Sequence, residues 1–407
     1  MKYDFDHEVL RFGTYSMKWD DDAFFKVTTP KLRLDKDTIR LNLADMDFRC
    51  APAIARAMHR VADFENYGYT TSNSAAEYKR SIINWYRRRH NMELLPEWII
   101  HSNGALDGVE QTILAFSKPG EGVILCRPIY RNFTNVIEKT GRHVANCQMI
   151  NHGGGAYELD WEHLEAVSAQ PENKVLVHCS PQNPVGRVWT REELCRVAEI
   201  CRRNGVVLVS DEIHSDLIRK GVRHIPILDA AEDVSNIIMV SGVNKSFNLM
   251  GLHCAYSVIP DEGLRKQFQN GYEPAMPTPF AIAGTIAAYN ESEDWLDQLN
   301  EYLDNTMSFA VDYIKEKIPG VKVYLPQGSY VLWLDFSDFG YSDDVLQDII
   351  YQKANVALQK GTSHDPENGA GFMRLCVTCS KANIRKAIDR ISEAFAEYER
   401  ETALVKG

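Results

Sequence analysis

The sequence predicts an α/β protein in which a large domain with a mostly parallel sheet precedes a smaller α+β domain. Two observations support this prediction. Between about residues 98 and 258, short apolar runs rich in β-forming residues alternate with helical patterns. After Pro279, a long helical pattern is followed by strands and helices that do not continue the regular alternation of the preceding region. With 407 residues, the chain can bury large cores in about two to three domains without disulfides or metals.

The strands predicted for the large domain are almost continuously apolar, which is typical of a parallel sheet covered on both faces. They lie at 122–126, 174–179, 206–210 and 237–240. The helix between the second and third strands has clear ends. Thr190 and Glu193 predict a capping box at its start, and Asn204 with Gly205 predicts its stop.

The C-terminal part predicts a separate, smaller domain. A long helix over 281–317 leads into strands at 321–325, 328–335 and 372–378, with helices at 343–353 and 382–398. In the last helix Ile384, Ile388, Ile391 and Phe395 share one face. We therefore predict an N-terminal segment, 1–47, that packs with the small domain and the active site, a large domain, 48–283, and a small domain, 284–407.

Composition narrows the classes of partner. The net charge is -11 and there is no long basic run, so binding to nucleic acid or to an anionic membrane has little electrostatic support. The charged N-terminus lacks the apolar core of a secretion signal, and no apolar stretch has the length of a membrane span. Nine cysteines without a repeating frame fit a reducing compartment. These features predict a cytoplasmic protein that binds small metabolites.

Two cysteines, Cys376 and Cys379, have the spacing of a metal or redox pair. Cys376 lies within the strand predicted at 372–378 and Cys379 directly follows it, however, and no second pair of cysteines or histidines completes a set of four ligands. We interpret both as structural thiols, and predict no metal site.

Polar residues directly follow three of the predicted strands of the large domain. They are Asn183, Asp211 and Lys245. Each alone has an ordinary interpretation, namely an Asn-Pro turn, a helix-capping carboxylate and a solvated amine. Ligands of open parallel sheets, however, bind beyond the carboxyl ends of the strands. The three side chains should therefore meet at one edge of one sheet and form a binding site there.

An amide, a carboxylate and an amine at one site match the requirements of pyridoxal 5'-phosphate (PLP). A lysine amine can form a Schiff base with this aldehyde, and an acidic partner keeps its ring nitrogen protonated. Lys245 provides the amine and Asp211 the carboxylate. Asn183 would donate a hydrogen bond to the phenolic oxygen, and Tyr130 would cover the ring face.

The phosphate of PLP requires backbone N–H groups at a helix start. Gly104 permits close approach of the backbone, and a helix is predicted to begin directly after it. Ser241 and Ser246 add hydroxyl donors beside the lysine. The loop around Gly104 is thus the predicted phosphate site.

Over nearly its full length the sequence resembles the fold type I, aspartate-aminotransferase-like superfamily of PLP enzymes. Within that superfamily it is similar to the MalY/PatB branch of cystathionine β-lyases, also called C-S lyases. The motifs that carry the resemblance are KWD at 18–20, DMDF at 45–48, YGYT at 67–70, PIY at 128–130, SPQNPVGRVW at 180–189, SDEIH at 210–214, KSFN at 245–248 and GFMRL at 371–375. The resemblance implies a large domain with a mostly parallel seven-stranded sheet between helices.

The resemblance also implies roles for individual residues. Lys245 would bind PLP covalently and move the substrate α-proton, and Asp211 would bind the pyridinium. His214, with Asn183, would lie near the phenolic oxygen, and Tyr130 would stack on the ring.

Further roles concern the phosphate and the substrate. Ala105, Leu106 and Ser241 would hold the phosphate, together with the Gly104 loop. Tyr69 would reach the phosphate of the neighbouring subunit, which implies a homodimer with shared active sites. Arg374 would bind the α-carboxylate of the amino-acid substrate as a planar two-pronged donor, with Asn183 beside it.

The activity that the resemblance implies is a β-elimination. L-cystathionine, or a related cysteine S-conjugate, would be cleaved to a thiol, pyruvate and ammonia. Two alternatives stay open. One is a PLP-dependent aminotransferase, although position 253 is His where aminotransferases commonly place a phosphate-binding Arg. The other is a PLP-binding regulatory or interaction protein with little turnover. The preferred thioether is not determined by the sequence.

Overall fold

The computed structural model describes residues 2–7, 9–70, 72–270 and 276–406. Its helices are α1 Met17–Asp20, α2 Asp22–Thr28, α3 Pro52–Asp63, α4 Ser72–Trp85, α5 Ala105–Phe116, α6 Arg131–Lys139, α7 Trp161–Ser168, α8 Arg191–Arg203, α9 Ile227–Ala230, α10 Val243–Ser246, α11 Glu262–Gln269, α12 Pro279–Glu291, α13 Glu293–Lys317, α14 Asp343–Gln347 and α15 Lys381–Lys406. Its strands are β1 Ile39–Arg40, β2 Ile99–Ser102, β3 Gly122–Leu125, β4 His143–Asn146, β5 Ile150–Asn151, β6 Tyr157–Glu158, β7 Asn173–Cys179, β8 Val207–Asp211, β9 Ile237–Gly242, β10 Ala255–Val258, β11 Val331–Asp335, β12 Val356–Ala357, β13 Gln359–Lys360 and β14 Phe372–Cys376.

The large domain is built on a seven-stranded sheet in the order β2-β10-β9-β8-β7-β3-β4. Only β10 runs antiparallel to its neighbours in this sheet. The four strands predicted from apolar runs are β3, β7, β8 and β9, so the mostly parallel sheet is confirmed. Leu176 and Leu208 point into the apolar cluster on one face of the sheet, whereas Val177 and Val209 point into the cluster on the other. Burial on both faces explains why these strands are continuously apolar.

Local signals set the bounds of α8 as predicted. The Thr190 hydroxyl accepts a hydrogen bond from the Glu193 backbone N–H, and the Glu193 carboxylate accepts one from the Thr190 N–H. This capping box satisfies two backbone donors at the start of the helix. Gly205, at a φ of 69°, lies just beyond the end of α8.

The long helix predicted over 281–317 is two helices. Ser292 separates α12 from α13, and its hydroxyl donates to the Ala287 carbonyl at 2.9 Å. The backbone of Ser292, at a φ of -128° and a ψ of 17°, is not helical, and this interrupts the helix. As a result α12 packs against α3 and α4 of the large domain, whereas α13 packs against α15 of the small domain.

The prediction of a strand at 321–325 is wrong. Only Lys322 pairs, through two backbone hydrogen bonds of 2.9 Å with Asp335. The chain then turns toward the large domain, where the N–H groups of Gln327 and Gly328 both donate to the Gly186 carbonyl at 2.9 Å. Gly186 has a φ of 72°, and a Cβ there would meet the side chain of Pro326. After Lys322 the chain thus leaves β11 and packs on the Gly186 loop instead of continuing as a paired strand.

The small domain contains the three-stranded sheet β11-β14-β13. The predicted helix at 343–353 is α14 followed by one π-helical segment, Asp348–Lys353. The N-terminal segment joins this domain, because β1 pairs in parallel with β12. The predicted boundaries at 47 and 283 stay predictions. In the ranges that the structure describes, no helix is long and apolar enough to cross a membrane.

Candidate active site

A cavity of about 310 Å³ lies at the carboxyl ends of β7, β8 and β9. Most of the predicted site residues line it: Gly104, Ala105, Leu106, Tyr130, Asn183, Asp211, His214, Lys245 and Arg374. Strand direction explains this convergence, because parallel strands deliver the residues that follow them to the same edge of the sheet. The small domain and the N-terminal segment close the cavity from the other side.

Lys245 lies in α10, which follows β9 after Gly242. Its amine donates a hydrogen bond to the Ala44 carbonyl at 2.8 Å. Burial lowers the pKa of this amine, against the opposing attraction of Asp45, and the Arg374 guanidinium lowers it further. A lowered pKa increases the fraction of neutral amine at pH 7, which is the form that acts as nucleophile or base.

Asp211 ends β8 on the floor of the cavity and is buried. One carboxylate oxygen accepts a hydrogen bond from the Ile213 N–H at 3.1 Å. Burial raises the pKa of Asp211 to about 7, in spite of that hydrogen bond and of the attraction of Lys245. A cationic N–H donor from a ligand would stabilise the charged carboxylate. The pyridinium nitrogen of PLP is such a donor.

The predicted phosphate site is the N-terminus of the 12-residue helix α5. Gly104 occupies the N-cap position and offers no side-chain hydrogen bond to the first turn. A Cβ added at Gly104 would meet no atom within 4 Å, so the space in front of the helix start is open. An anion can therefore approach the backbone N–H groups and the positive end of the helix dipole.

The two serines predicted beside the lysine point to other partners. The Ser241 hydroxyl donates to the Glu212 carbonyl at 3.2 Å, and the Ser246 hydroxyl donates to Asp216 at 3.2 Å. Both side chains are buried, and neither lines the cavity. A phosphate role for Ser241 stays a prediction.

Arg374, on β14, is held between two parts of the chain. One terminal nitrogen donates to the Asn183 side-chain oxygen at 3.3 Å, and the other donates to the Asn42 carbonyl at 2.9 Å. Its Nε is buried and has no hydrogen-bond partner among the described residues. A buried donor without a partner is costly, and a carboxylate ligand would satisfy it.

The other predicted ring contacts are neutral groups at pH 7. Burial lowers the pKa of His214 well below its usual value, and its Nδ1 is 3.1 Å from the Ser329 hydroxyl. Burial raises the pKa of Tyr130, whose hydroxyl accepts a hydrogen bond from the Asn132 side chain at 2.6 Å. Both side chains can therefore contact an aromatic ring without adding charge.

Sequence reasoning predicted that residues 1–47 pack with the active site but assigned no contact to the part at 42–47, which we call the active-site segment. The carbonyls of Asn42 and Ala44 accept hydrogen bonds from Arg374 and Lys245. Further along, the Met46 N–H and carbonyl pair with the Asn248 side chain at 2.9 and 2.8 Å. On the segment's side these contacts use backbone atoms, and a motif of side chains does not predict backbone contacts.

The active-site segment is fixed by a buried cation from the KWD motif. Lys18 is fully buried, and its amine contacts Asp47 at 2.7 Å, the Asp45 carbonyl at 2.9 Å and the Thr378 hydroxyl at 3.2 Å. The Trp19 indole N–H donates to the second oxygen of Asp47 at 2.9 Å. The KWD and DMDF motifs, which the sequence left without a role, therefore join the N-terminal segment to the small domain.

Tyr69 lies away from the cavity. Its side chain is fully exposed, and it lines a surface groove with apolar residues that include Phe64, Ile282 and Ile286. Phe64 is also exposed, at 76%. Within one chain, therefore, Tyr69 does not reach the site that its predicted role requires.

Comparison with known proteins places the cavity in a family context. The profile described as "Aminotransferase class I and II" matches residues 36–391. Cystathionine beta-lyase PatB of Bacillus subtilis (strain 168) is 36% identical, over 96% of this chain and 100% of that protein. Protein MalY of Escherichia coli (strain K12) is 30% identical, over 95% of this chain and 97% of that protein. The crystal structure of cystalysin from Treponema denticola, which contains PLP, has a TM-score of 0.91 and 28% identity, over 98% of this chain and 100% of that chain.

Proposed function

Because the chain belongs to the class I and II aminotransferase family, as a PLP-dependent carbon-sulfur β-lyase, we propose that the cavity around Lys245 is its active site. There it cleaves L-cystathionine or related cysteine S-conjugates to a thiol, pyruvate and ammonia. The observation that carries the assignment of the site is the presence of Lys245, Asp211 and Arg374 in one cavity.

The residues present fit PLP, as the open helix start at Gly104 and the buried carboxyl of Asp211 indicate. Asp211 would hold the pyridinium, the start of α5 the phosphate, and Lys245 the aldehyde carbon. Asn183 and His214 would lie at the phenolic oxygen, and Tyr130 at the ring face. When bound, PLP supplies an electron sink for the charge that develops at the substrate α-carbon.

The chain's own groups bind the substrate and move its proton. Arg374, which lines the cavity, binds the α-carboxylate through its guanidinium, and Asn183 orients that group. The Lys245 amine takes the proton from the α-carbon, since its lowered pKa leaves more of it neutral at pH 7. The Ala44 carbonyl orients that amine through their hydrogen bond.

We also propose a cytoplasmic homodimer with shared active sites. The exposed Tyr69 and the apolar groove around Phe64 and Ile286 support this, because a second copy would cover them. Tyr69 would then contact the phosphate in the partner's cavity. Light scattering of the purified protein tests the assembly, and mixing a Y69F chain with an inactive K245A chain tests whether sites are shared.

The test of function is turnover without a keto acid. Purified holoenzyme incubated with L-cystathionine alone should release pyruvate and thiol catalytically. Turnover that requires a keto acid would instead indicate the aminotransferase, and bound cofactor without turnover of any cysteine conjugate would indicate an interaction protein. Borohydride reduction followed by peptide mapping should place the cofactor on Lys245 and on no other side chain.

A further inference from the structure

Arg131 is a cation of the active-site cavity to which the roles above assign no partner. Among the residues that the structure describes, the charged side chains that line the cavity are one carboxylate, Asp211, and three cations, Lys245, Arg374 and Arg131. In the roles proposed above, Asp211 would hold the ring nitrogen of PLP, Lys245 the aldehyde carbon and Arg374 the substrate α-carboxylate. Arg131 makes no hydrogen bond or ion pair with any residue that the structure describes.

The surroundings place Arg131 at the wall shared with the small domain. Its charge acts on His364, whose pKa is lowered mainly by burial and further by Arg374 and Arg131. The His364 Nε2 contacts the Gln359 side chain at 3.1 Å, and Gln359 is the strand partner of Arg374. Arg131 therefore lies on the side of the α-carboxylate site, whereas the phosphate site is the start of α5.

Arg131 lies at the start of its helix, where a positive side chain is unfavourable unless an anion is nearby. Arg131 is the first residue of α6, a helix of nine residues, and the first turn contains no acidic residue. The N-cap residue, Tyr130, makes no side-chain hydrogen bond to that turn. A cation at the positive end of a helix dipole is destabilising, so both the guanidinium and the helix start favour an anion here.

The rest of this wall fits the chain of a thioether. The same cavity is also lined by Phe24, Thr28, Thr29 and Leu358, which combine apolar surface with hydroxyl groups. If the sulfur substituent extends from the α-carbon toward Arg131, a carboxylate at its far end can accept two parallel hydrogen bonds from the guanidinium.

We propose that Arg131 binds a carboxylate at the far end of the sulfur substituent, so that the enzyme prefers cysteine S-conjugates with an anionic terminus. L-cystathionine, which carries a second α-carboxylate, belongs to this class. The inference rests on the β-lyase function proposed above and adds the selectivity of that site. Arg131 is thus a specificity-determining residue, and it takes no part in proton transfer.

The experiment compares three conjugates of matched length: S-(2-carboxyethyl)-, S-propyl- and S-(2-aminoethyl)-L-cysteine. Pyruvate release gives kcat/KM for each with wild type, R131Q, R131E and K139Q. Lys139 is at the other end of α6 with an exposed side chain, so K139Q removes the same charge outside the cavity. The readout is the ratio of kcat/KM between conjugates, which a general loss of folding or cofactor does not change.

We expect R131Q to lower the carboxyethyl-to-propyl ratio by about 10-fold, mainly through KM, as for the loss of one partly exposed charge-assisted pair. R131E should shift preference toward the aminoethyl conjugate, and K139Q should keep the wild-type ratios. Equal losses on all three conjugates, or weaker PLP binding with unchanged ratios, would overturn the proposal. If wild type cleaves none of the three, the lyase function fails as well; if it cleaves all three without preference, only the role of Arg131 fails.

Discussion

Lys18 and Lys245 are both withdrawn from bulk solvent, and each lies near an aspartate, but their surroundings differ. Lys18 contacts Asp47 at 2.7 Å, and a carbonyl and a hydroxyl complete its shell. Lys245 has one carbonyl partner, and no ion pair joins it to Asp211. Burial therefore lowers the pKa of Lys245 and raises that of Asp211 to about 7. Pairing makes a structural cation, whereas separation leaves two groups that can react with a ligand.

Removing the reactive lysine should have the largest effect. K245A should lower kcat for pyruvate release by about 1,000-fold or more, because the proton-transferring amine is lost. Thermal unfolding of the cofactor-free variant should stay close to that of cofactor-free wild type, since the amine has a single hydrogen bond to a carbonyl. Retention of a tenth of the activity would assign proton transfer to another group. K139Q provides the control for loss of a lysine charge.

Removing the structural lysine should instead affect stability. K18M should lower the free energy of unfolding by about 3 kcal/mol, because the buried carboxylate of Asp47 loses its shorter ion pair, at 2.7 Å, and keeps only the longer contact of 3.3 Å with Arg11. Denaturant titration measures this change, and K26M, at an exposed lysine in the same segment, is the matched control. An equal, small change in both variants would show that the buried pair contributes little.

The buried carboxyl of Asp211 should make the stability of the cofactor-free protein depend on pH. In the cofactor-free protein, the raised pKa of Asp211 means that the folded state binds more protons than the unfolded chain, so stability falls as pH rises from about 4 to about 7. Between pH 5 and pH 8 wild type should lose about 2 kcal/mol relative to D211N. Unfolding titrations at both pH values test this. A constant difference between the two proteins would show that Asp211 titrates normally.

The smallest effect concerns one contact of the Lys18 shell. T378V keeps the shape of a fully buried side chain and removes the hydroxyl that accepts from Lys18 at 3.2 Å. We expect a loss of about 1 kcal/mol in unfolding free energy, since Lys18 keeps its other two partners. The double variant K18M/T378V should lose less than the sum of the two single changes. Additive losses would mean that the two side chains do not interact.

The residues around the reactive lysine, Lys245, could be predicted from the sequence, whereas the contacts of the structural lysine, Lys18, could not. Asn183, Asp211 and Lys245 each follow an apolar strand, and the geometry of parallel sheets alone brings them together. Lys18 and Thr378 are 360 positions apart, and no local pattern shows that they meet. Arg131 was missed for a related reason, because its significance is the lack of a partner in space.

Two predicted elements, the strand at 321–325 and the single helix over 281–317, differ from the structure for physical reasons. The β-forming residues at 321–325 have strand propensity, but pairing requires a neighbouring strand, and after Lys322 the chain turns to the Gly186 loop, which Gln327 and Gly328 contact. The break between α12 and α13 lies at Ser292, whose backbone is not helical and whose hydroxyl donates to the Ala287 carbonyl. The first outcome depends on tertiary neighbours, whereas the second is accompanied by a local hydrogen bond.

The carbonyls of Asn42 and Ala44 are two residues apart, and each accepts from a different cation of the cavity. Two residues of chain span at most about 7 Å and cannot stretch. When the carboxylate of a substrate binds the Arg374 guanidinium, the Asn42 carbonyl loses its donor. The peptide 42–44, whose Ala44 carbonyl restrains the Lys245 amine, can then shift more freely. Binding of the amino acid would then be coupled to release of the Lys245 amine from the Ala44 carbonyl. A cysteine analogue that lacks the α-carboxylate should leave this amine restrained.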